Sequence, residues 1–464
     1  MLEHVDSAPL NTTIETCRRL VVCLMLLVMA GCALNQPPPQ EEIVSAALPT
    51  VEVPAEWSAE DLDVGLVDSA WIETFGDSKL VELVNEAMEN SPDLRISASR
   101  VDRAAALLDN ADAALKPTVG LAGSVSGTSA GSQSQSSSGV GLSISWELDV
   151  WGRVRAGAAA AEESLLATQA DFEFARQSLA AQVANAWFLN TESTLQVELA
   201  EEITEVYRGT LDITEKQQQA GKVSMKDVHL AKASLAASED ALRQAQIAWN
   251  ETVRALEVLL GRYPSAELDA AERLVAVPPE IPAGTPSDII ARRPDLIAAE
   301  RLVGESFFLT EEAKLARLPR FALTGGVGVS SLGSTISSLG AGLFAPLFDG
   351  GALEAQLDAA TADQEAAIAN YGSVLLRAFQ EVETALVNEN LLGQREDLLG
   401  AVVEENAKAL ELSRTEYDVG KIGFENVLLV QASWVAARIG MVNIQRQRLF
   451  QRVNLHLALG GSFE

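Results

Sequence analysis

The chain has 464 residues, of which 48% are apolar and only 5% aromatic, and its formal net charge at pH 7 is −31. Nucleic-acid binding requires a basic surface that neutralises phosphates, so this acidic balance argues strongly against that class of function. Alanine, serine and glycine are plentiful. This composition is typical of helices that pack closely through small side chains.

The first 31 residues have the pattern of a signal peptide. Arg18-Arg19 precedes an almost wholly apolar run from Leu20 to Ala30, which is too short to span a bilayer as a helix. Met29-Ala30-Gly31-Cys32 then resembles a bacterial lipobox, whose cysteine becomes lipid-modified and N-terminal after cleavage. The pattern therefore predicts a lipoprotein anchored through Cys32. The alternative is a signal peptide that is cut elsewhere, with Cys32 incidental.

Residues 32–70 are predicted to be a lipid-anchored N-terminal tether, because residues 36–56 are rich in Pro, Glu and Ala. Cleavage before Cys32 would remove Cys17 and Cys23, the two other cysteines of the chain. No further thiol would then remain for a disulfide or a metal site, which suits an exported protein with a large core.

Long helices are predicted along most of the chain. Helical spacing of apolar residues runs from Trp71 to Glu89. Ser91-Pro92 begins a second helix, since proline suits a first helical turn, and this helix is predicted to end near Leu115. The proline-free tracts Trp151 to Gln219 and Lys222 to Leu260 predict two more. Helices of this length cannot be mostly buried in one globular core, so they indicate a bundle or a tube.

A β-hairpin is predicted at about residues 117–150, between these helices. Val119, Leu121 and Val125 alternate with small residues, and a second alternating run ends at Val150. The polar stretch from Thr128 to Ser138 is predicted to be a flexible loop between the two strands. Each strand is about long enough to cross a membrane, since transmembrane strands need ~9–11 residues.

The second half of the chain repeats the first. Ala220-Gly221-Lys222-Val223 matches Val419-Gly420-Lys421-Ile422 at an offset of 199 residues, and a second hairpin is predicted at about 319–349. The chain therefore divides into a first repeat at 71–261, a proline-rich linker at 262–293 and a second repeat at 294–464. A period this long indicates a duplicated unit rather than a solenoid.

The four predicted strands have one apolar face and one face of small or polar residues. A soluble sandwich would show the same alternation with its apolar face inward. The small size of the polar faces and the long flanking helices favour a membrane barrel instead. Four strands cannot close a barrel, and unpaired backbone groups at an open edge cost several kcal/mol each in lipid. A membrane location therefore requires that several copies share one barrel.

Several motifs, together with the duplication, resemble one protein family. They are Trp71-Ile72-Glu73-Thr74-Phe75-Gly76-Asp77, Ser91-Pro92-Asp93-Leu94, Ala291-Arg292-Arg293-Pro294-Asp295-Leu296, Pro346-Leu347-Phe348-Asp349-Gly350-Gly351, Phe379-Gln380-Glu381-Val382-Glu383 and Tyr417-Asp418-Val419-Gly420. In this order they resemble the TolC-type outer-membrane factors, in the lipoprotein branch that serves resistance-nodulation-division efflux pumps. The resemblance covers nearly all of the mature chain.

This resemblance implies a mainly helical fold with a membrane β part. Duplicated long helical hairpins would form a periplasmic α-barrel, and four strands per chain would join a trimeric, twelve-stranded β-barrel in the outer membrane. The implied function is the outer-membrane channel of a tripartite efflux system, which passively conducts drugs or other toxic compounds. The implied partners are outer-membrane lipid, a periplasmic adaptor protein and an inner-membrane resistance-nodulation-division pump. The alternatives are an exit duct for type I protein secretion and a coiled-coil envelope protein that conducts nothing.

The resemblance places the turns at Gly221 and Gly420 at the periplasmic tips of the channel. Both glycines are expected to cap helices, since glycine is the commonest residue at a helix C-terminus. The neighbouring Lys222 and Lys421 are, with the two glycines, candidate docking residues for the adaptor.

The entrance departs from the family pattern. Many relatives carry an aspartate ring about nine residues after the turn glycine, where this chain has Leu429. Asp227 and Glu425 are nearby acids that could line the mouth and favour cations, or could be ordinary solvated helix charges. Leu429 and its two neighbours could close the entrance by dewetting, although plain helix packing is the preferred interpretation.

Glu147 and Asp149 end the second strand on its polar side and are predicted to face the lumen. No catalytic residue, cofactor or metal ion is expected. His4, His229 and His456 are scattered, without the paired histidines or cysteines of a metal site.

Overall fold

A computed structural model describes residues 34–58, 70–130, 133–279, 281, 284–330 and 334–461. The predicted signal peptide and Cys32 lie outside these residues. The chain forms two compact units. The strand unit contains the described parts of Met1–Thr50, Arg100–Gln169 and Ala298–Gly372, and the turn unit contains those of Val51–Ser99, Ala170–Ile297 and Ser373–Glu464.

The two halves of the chain have the same order of elements after a first helix, α1 (Gln40–Ala47). The first half contains α2 (Ser78–Asn90), α3 (Pro92–Ala113), β1 (Thr118–Ala130), β2 (Gln133–Leu148), α4 (Arg153–Gln219) and α5 (Met225–Leu259). The second contains α6 (Pro286–Arg292), α7 (Pro294–Leu315), β3 (Arg320–Ser330), β4 (Thr335–Phe344), α8 (Ala352–Asp418) and α9 (Phe424–Ala458). The predicted fold class, mainly helical with four strands, is confirmed.

The four strands form one antiparallel sheet in the order β1-β2-β3-β4. In its register Leu121 pairs with Leu142, and Val140 pairs with Val329. Since neighbours across a ladder point to the same side of a sheet, most apolar residues of the four strands share one face, and Ile336 and Phe344 of β4 lie on the other. The apolar face is exposed in the single chain, as Leu121 at 75% shows. The opposite face carries mainly Gly, Ala and Ser.

The prediction of a polar loop from Thr128 to Ser138 is wrong. β1 continues to Ala130 and β2 begins at Gln133, with Thr128 paired to Gln135. Ladder hydrogen bonds join backbone groups, so polar side chains leave them available, and the stretch contains no proline to interrupt them. The first hairpin therefore extends beyond the second, because β3 pairs with β2 only as far as Gly139.

The predicted helix from Trp71 to Glu89 also begins later than expected. Residues Glu73–Phe75 form a single 3-10 turn, and Gly76 has a left-handed φ of 64° that ends it. The Asp77 carboxylate then caps α2 by accepting hydrogen bonds from the backbone amides of Lys79 and Leu80. The same carboxylate accepts a 2.7 Å hydrogen bond from the Trp187 indole, which fixes this turn to α4.

Residues 34–50 of the predicted tether belong to the strand unit, and residues 51–58 belong to the turn unit. Ile43 of α1 is buried, and the Gln40 side-chain amide donates a 2.7 Å hydrogen bond to Glu300 of α7. Gly372 of α8 lies against Ala47, where a Cβ would stand only 2.9 Å from the Ala47 carbonyl oxygen. A glycine is therefore needed in α8 for α1 to approach this closely.

Candidate channel site

The turns at Gly221 and Gly420 have nearly identical backbones. Their φ angles are 73° and 77°, in the left-handed region that glycine adopts at little cost. Each glycine amide donates a 2.9 Å hydrogen bond to the carbonyl three residues earlier. The amide of the lysine that follows donates a 2.9 Å hydrogen bond to the carbonyl five residues earlier. These hydrogen bonds satisfy the last carbonyls of α4 and α8. Both glycines therefore act as helix caps, as expected.

The two lysines after these glycines differ in their contacts. The Lys421 ammonium pairs with the Glu416 carboxylate of its own turn. Lys222 is exposed and makes no ion pair within the described part of the chain. Of the two candidate docking lysines, Lys222 is consequently the one whose charge is available to a partner.

A pair of contacts joins the two turns. The Lys226 ammonium lies 2.9 Å from the Glu425 carboxylate, and the Tyr417 hydroxyl donates a 2.8 Å hydrogen bond to the Gln217 side chain. The hydrogen bond to Glu425, with its negative charge, raises the pKa of Lys226. The structure thus places the Glu425 carboxylate in a salt bridge rather than leaving it as a free acid.

Asp227 has a structural partner as well. Its carboxylate accepts hydrogen bonds from the backbone amide of Ser224, at 2.9 Å, and from the Ser224 hydroxyl, at 2.8 Å. This reciprocal arrangement is a capping box at the start of α5. Asp227 therefore stabilises the first turn of the helix, whether or not it also faces the entrance.

Leu429 does not pack inside the chain, because 68% of it is exposed. Leu428 and Val430 are half-buried, and Phe424 is buried at the start of α9 beside the Tyr417 ring, 5.5 Å away. The two interpretations of Leu429, helix packing and closure of the entrance by dewetting, both stay predictions.

Glu147 and Asp149 both lie in ion pairs at the base of the sheet. Glu147 belongs to β2 and accepts two 3.1 Å hydrogen bonds from Arg153. Asp149 lies beyond the end of β2, contrary to its predicted place in the strand. Its carboxylate caps α4 by accepting 3.0 Å hydrogen bonds from the amides of Val154 and Arg155.

The sequence did not point to Lys226, Gln217 or Arg153, although two of their partners were candidates. One available signal was the duplication itself, because Lys226 and Glu425 occupy the same repeat position with opposite charges. Among the described residues, no group of three or more His, Cys, Asp or Glu side chains could hold a metal ion.

Comparisons with known proteins identify the family of this chain. The profile of the family described as outer membrane efflux protein matches residues 83–262 and 285–461. The toluene efflux pump outer membrane protein TtgC of Pseudomonas putida is 29% identical over 96% of this chain and 95% of its own. The cation efflux system protein CusC of Escherichia coli is 29% identical over 97% of this chain and 99% of its own.

Solved structures share the fold over almost the whole length. The open state of the Neisseria gonorrhoeae MtrE outer membrane channel superposes with a TM-score of 0.81 at 26% identity, covering 94% of this chain and 98% of that one. The outer-membrane channel OprN superposes with a TM-score of 0.83 at 25% identity, covering 93% and 99%.

Proposed function

The chain belongs to the outer membrane efflux protein family, and we propose on that basis that it is the trimeric, lipid-anchored exit channel of a tripartite pump. It is an outer-membrane efflux protein whose family members are channels. In this proposal the channel passively conducts small molecules, such as drugs or other toxic compounds. The pump that supplies the energy stands in the inner membrane, and a periplasmic adaptor joins the two.

The sheet is the observation that carries the proposal. Its apolar face is exposed, and among the described residues the edge strands β1 and β4 are each paired on one side only. An apolar face is stable against lipid, whereas open edges are not, because each unpaired backbone group costs several kcal/mol there. Pairing β1 of one copy with β4 of the next removes both edges. Three copies would supply twelve strands, which is within the range of known membrane barrels.

The turn unit supports association of copies independently. An 18-residue stretch of α9 has a mean hydropathy of 1.5, yet only 22% of it is buried in the single chain. By length and composition alone this helix could also cross a membrane. Its place after the Gly420 turn, opposite α5, instead favours burial against neighbouring copies in a helical tunnel.

The contacts between the turns supply a means of keeping the entrance closed. Lys226–Glu425 and Tyr417–Gln217 hold the two helical turns of one chain together. Opening requires that these contacts part, so an adaptor that binds beside Gly221 and Gly420 can act on them directly. Lys222 and Lys421 are the proposed docking charges, and Asp227, Glu425 and Leu429 are the proposed entrance residues.

The proposed substrates and partners agree with the relatives. TtgC and OpmQ of Pseudomonas putida are described as outer membrane proteins for toluene efflux and for pyoverdine export, and CusC is described as a cation efflux protein. All three descriptions concern small solutes rather than proteins. Cys32 is the proposed site of lipid attachment.

The test is complementation in cells that lack their own outer-membrane efflux channels. The full chain, expressed with a compatible adaptor and pump, is expected to lower the accumulation of a fluorescent dye and to be extracted from outer membranes as a trimer. A monomeric extract together with unchanged dye accumulation would contradict the proposal. Secretion of an ATP-driven exporter's protein substrate, with no dye efflux, would favour the secretion alternative.

A further inference from the structure

The two hairpins correspond residue by residue. β1 and β3 begin 202 residues apart, and the helices that follow the hairpins, α4 and α8, begin 199 residues apart. Applied together, these two offsets convert Thr118–Ser145, the pair at the base of the first hairpin, into Arg320–Phe344. That pair is the one observed at the base of the second hairpin. β1 and β3 are therefore equivalent strands at the first offset, and β2 and β4 at the second.

Inside the chain, the two hairpins are joined through β2 and β3, which pair from Gly139–Ser330 to Leu148–Phe321. The repeat equivalents of these strands are β4 and β1, the two edge strands, which each lack one partner within the described ranges. In a closed ring of copies, every contact between neighbouring hairpins can be of the same kind. β4 of one copy would then pair with β1 of the next copy as β2 pairs with β3.

We propose that a second copy docks on β4 through its β1 in one register, with Leu343 opposite Gly123 of the second copy. The offsets give this pair from the observed pair Ile144–Gly325. The inference rests on the proposed function, because it requires several copies to share one barrel, and it names the residues that join them. The joint is here called the intercopy ladder, and its other pairs, with the β4 side first, include Leu339–Gly127, Gly340–Ser126, Ala341–Val125, Gly342–Ser124, Ala345–Leu121 and Leu347–Val119.

Side-chain size at the two edges favours the same register. On the apolar face, large and small residues alternate along β4 and beyond it, in the order Leu339, Ala341, Leu343, Ala345 and Leu347. Small and large residues alternate along β1, in the order Gly127, Val125, Gly123 and Leu121. The intercopy ladder sets leucine against glycine and alanine against valine or leucine, until Leu347 meets Val119. A shift of two residues either way would set Leu343 against Val125 or Leu121, and Ala341 against glycine, which fills the surface unevenly.

The end of β4 points to the same joint. Residues 146–148 of β2 lie beyond its ladder with β1, and they are strand because β3 pairs with them. The equivalent residues 345–347 follow β4 and pair with no strand among the described residues. Leu347 is 96% exposed there. In the intercopy ladder these residues gain the pairing that 146–148 already have, so β4 lengthens and Leu347 lies beside Val119 of the second copy.

Pro346, which cannot donate to a ladder, is compatible with this extension. Gly141 and Gly328 form a close pair that exchanges no hydrogen bonds, since a Cβ on Gly141 would lie 3.0 Å from both the Gly328 Cα and the Val327 carbonyl oxygen. Gly141 therefore turns its amide away from β3. Pro346 lies six residues after Gly340, the counterpart of Gly141, so its nitrogen would likewise face away from β1 of the second copy.

Disulfide cross-linking of outer membranes that contain the full chain tests the register. Gly342→Cys and Gly340→Cys are each combined with Ser124→Cys and with Ser126→Cys, and covalent trimer is measured on non-reducing gels after mild oxidation. The native cysteines all precede residue 33. Within one chain the two edge strands are three strand spacings apart, about 14 Å, which is too far for a disulfide. Any cross-link therefore joins two copies.

The combinations G342C/S124C and G340C/S126C place the new cysteines directly opposite each other and are expected to cross-link. The exchanged combinations, G342C/S126C and G340C/S124C, are the matched controls. They separate the Cα atoms by about 7–8 Å, beyond the ~6.8 Å that a disulfide spans. About tenfold more covalent trimer is therefore expected from the opposed pairs than from the exchanged pairs.

More cross-linking in the exchanged pairs, or equal cross-linking in all four, would overturn the register and leave the shared barrel standing. Intact trimers without a cross-link in any combination would overturn the register as well. Chains that extract only as monomers, the unmodified chain included, would instead count against the proposed function. If only the glycine variants fail to assemble, A341C/V125C tests the same register from the apolar face, with A341C/G123C as its control.

Discussion

The three longest helices have the same lengths in both repeats, whereas the short first helices differ, since α2 has 13 residues and α6 has 7. Helices α3 and α7 have 22 residues each, α4 and α8 have 67 each, and α5 and α9 have 35 each. The hairpins differ, with strands of 13 and 16 residues in the first repeat and 11 and 10 in the second. The ends of the helices are free to diverge, and the site-specific chemistry lies there.

The junctions after α5 and α9 show how one backbone serves two different sets of side chains. Gly261 and Gly460 end these helices with φ angles of 73° and 70°. Gly261 lies against the Asn90 carbonyl, and Gly460 against the equivalent Arg292. In the second repeat the buried Arg293 also donates to the Ala458 carbonyl and pairs with acids, where the first repeat has Ser91. An arginine therefore secures each junction, since Arg262 next to Gly261 pairs with Glu86 in the first repeat and Arg293 pairs with Asp295 and Glu381 in the second.

The largest difference between the repeats is expected for alanine at these glycines. A Cβ at Gly261 would stand 2.7 Å from a backbone oxygen, whereas at Gly460 its nearest neighbour would be 3.3 Å away. Gly261→Ala should therefore destabilise by about 4 kcal/mol, from left-handed strain plus overlap, and Gly460→Ala by about 2 kcal/mol. Thermal unfolding of the detergent-solubilised variants measures both. Equal losses would show that the two junctions are packed alike.

The same repeat position carries a buried base in one copy and a buried acid in the other. His456 is 2% exposed and stacks on Trp71 with ring centroids 5.2 Å apart, while its counterpart Glu257 is equally buried. Burial and the nearby Arg452 charge lower the pKa of His456 to about 3. Burial raises the pKa of Glu257, but hydrogen bonds from the amides of Ala266 and Glu267 outweigh it and lower the pKa overall.

Through both residues, acid is therefore expected to lower the free energy of unfolding, but over different pH ranges. The folded state holds His456 neutral while the unfolded chain binds a proton below pH ~6.5, so stability falls as pH decreases from there toward 3. Between pH 7 and pH 4 the loss should be about 3 kcal/mol, by linkage from the cited pKa values. In His456→Phe, the free energy of unfolding should depend less on pH across this range. Glu257→Gln serves as the comparison, because its effect should appear only as pH falls below ~4.5.

Variants of the Lys226–Glu425 salt bridge test whether the opposite charges at this repeat position keep the entrance closed. Lys226→Gln removes one half of the contact and should increase the conductance of the resting assembly several-fold. The charge-reversed double variant K226E/E425K should restore the low conductance, since the pair is re-formed. Lys222→Gln, which removes a lysine four residues away that has no ion pair among the described residues, is the control in bilayer recordings. Equal conductance in K226Q and K222Q would show that the salt bridge does not keep the entrance closed.

The smallest effect is expected at the capping box of α5, because the equivalent helix α9 has no side-chain cap at its first turn. Asp227→Ala should destabilise by about 1 kcal/mol, because the first turn of α5 loses its capping carboxylate. The counterpart Asn426→Ala should cost almost nothing, since the Asn426 side chain reaches only the Gly423 carbonyl, at 3.5 Å. Chemical unfolding of the two variants side by side would reveal whether the capping difference is real.

Periodicity predicted the long helices and the four strands well. The tract from Trp151 to Gln219 became α4 within two residues, because proline-free helical spacing and a glycine stop are local signals. The extension of β1 and β2 through Thr128–Ser138 could not be predicted, since Ser and Gln are found in both loops and exposed strands. Ladder pairing across the hairpin decided that region.

The candidate site was predicted less completely. Gly221 and Gly420 were found because a left-handed cap requires glycine, and this requirement is visible in the sequence. The salt bridge of Glu425, the cap formed by Asp227 and the pairing of Glu147 with Arg153 depend on which helices meet. Sequence spacing within one helix does not contain that information. The acids were therefore predicted as free charges, whereas the structure shows them paired.

The most direct test of the account is a cysteine cross-link between β1 of one copy and β4 of another. The three native cysteines precede residue 33, so single cysteines at Gly123 in β1 and at successive positions of β4 can be introduced without interference. The account predicts, at the correct register, a ladder of cross-linked species that ends at the trimer. Cross-links confined to single chains at every register would contradict a shared barrel.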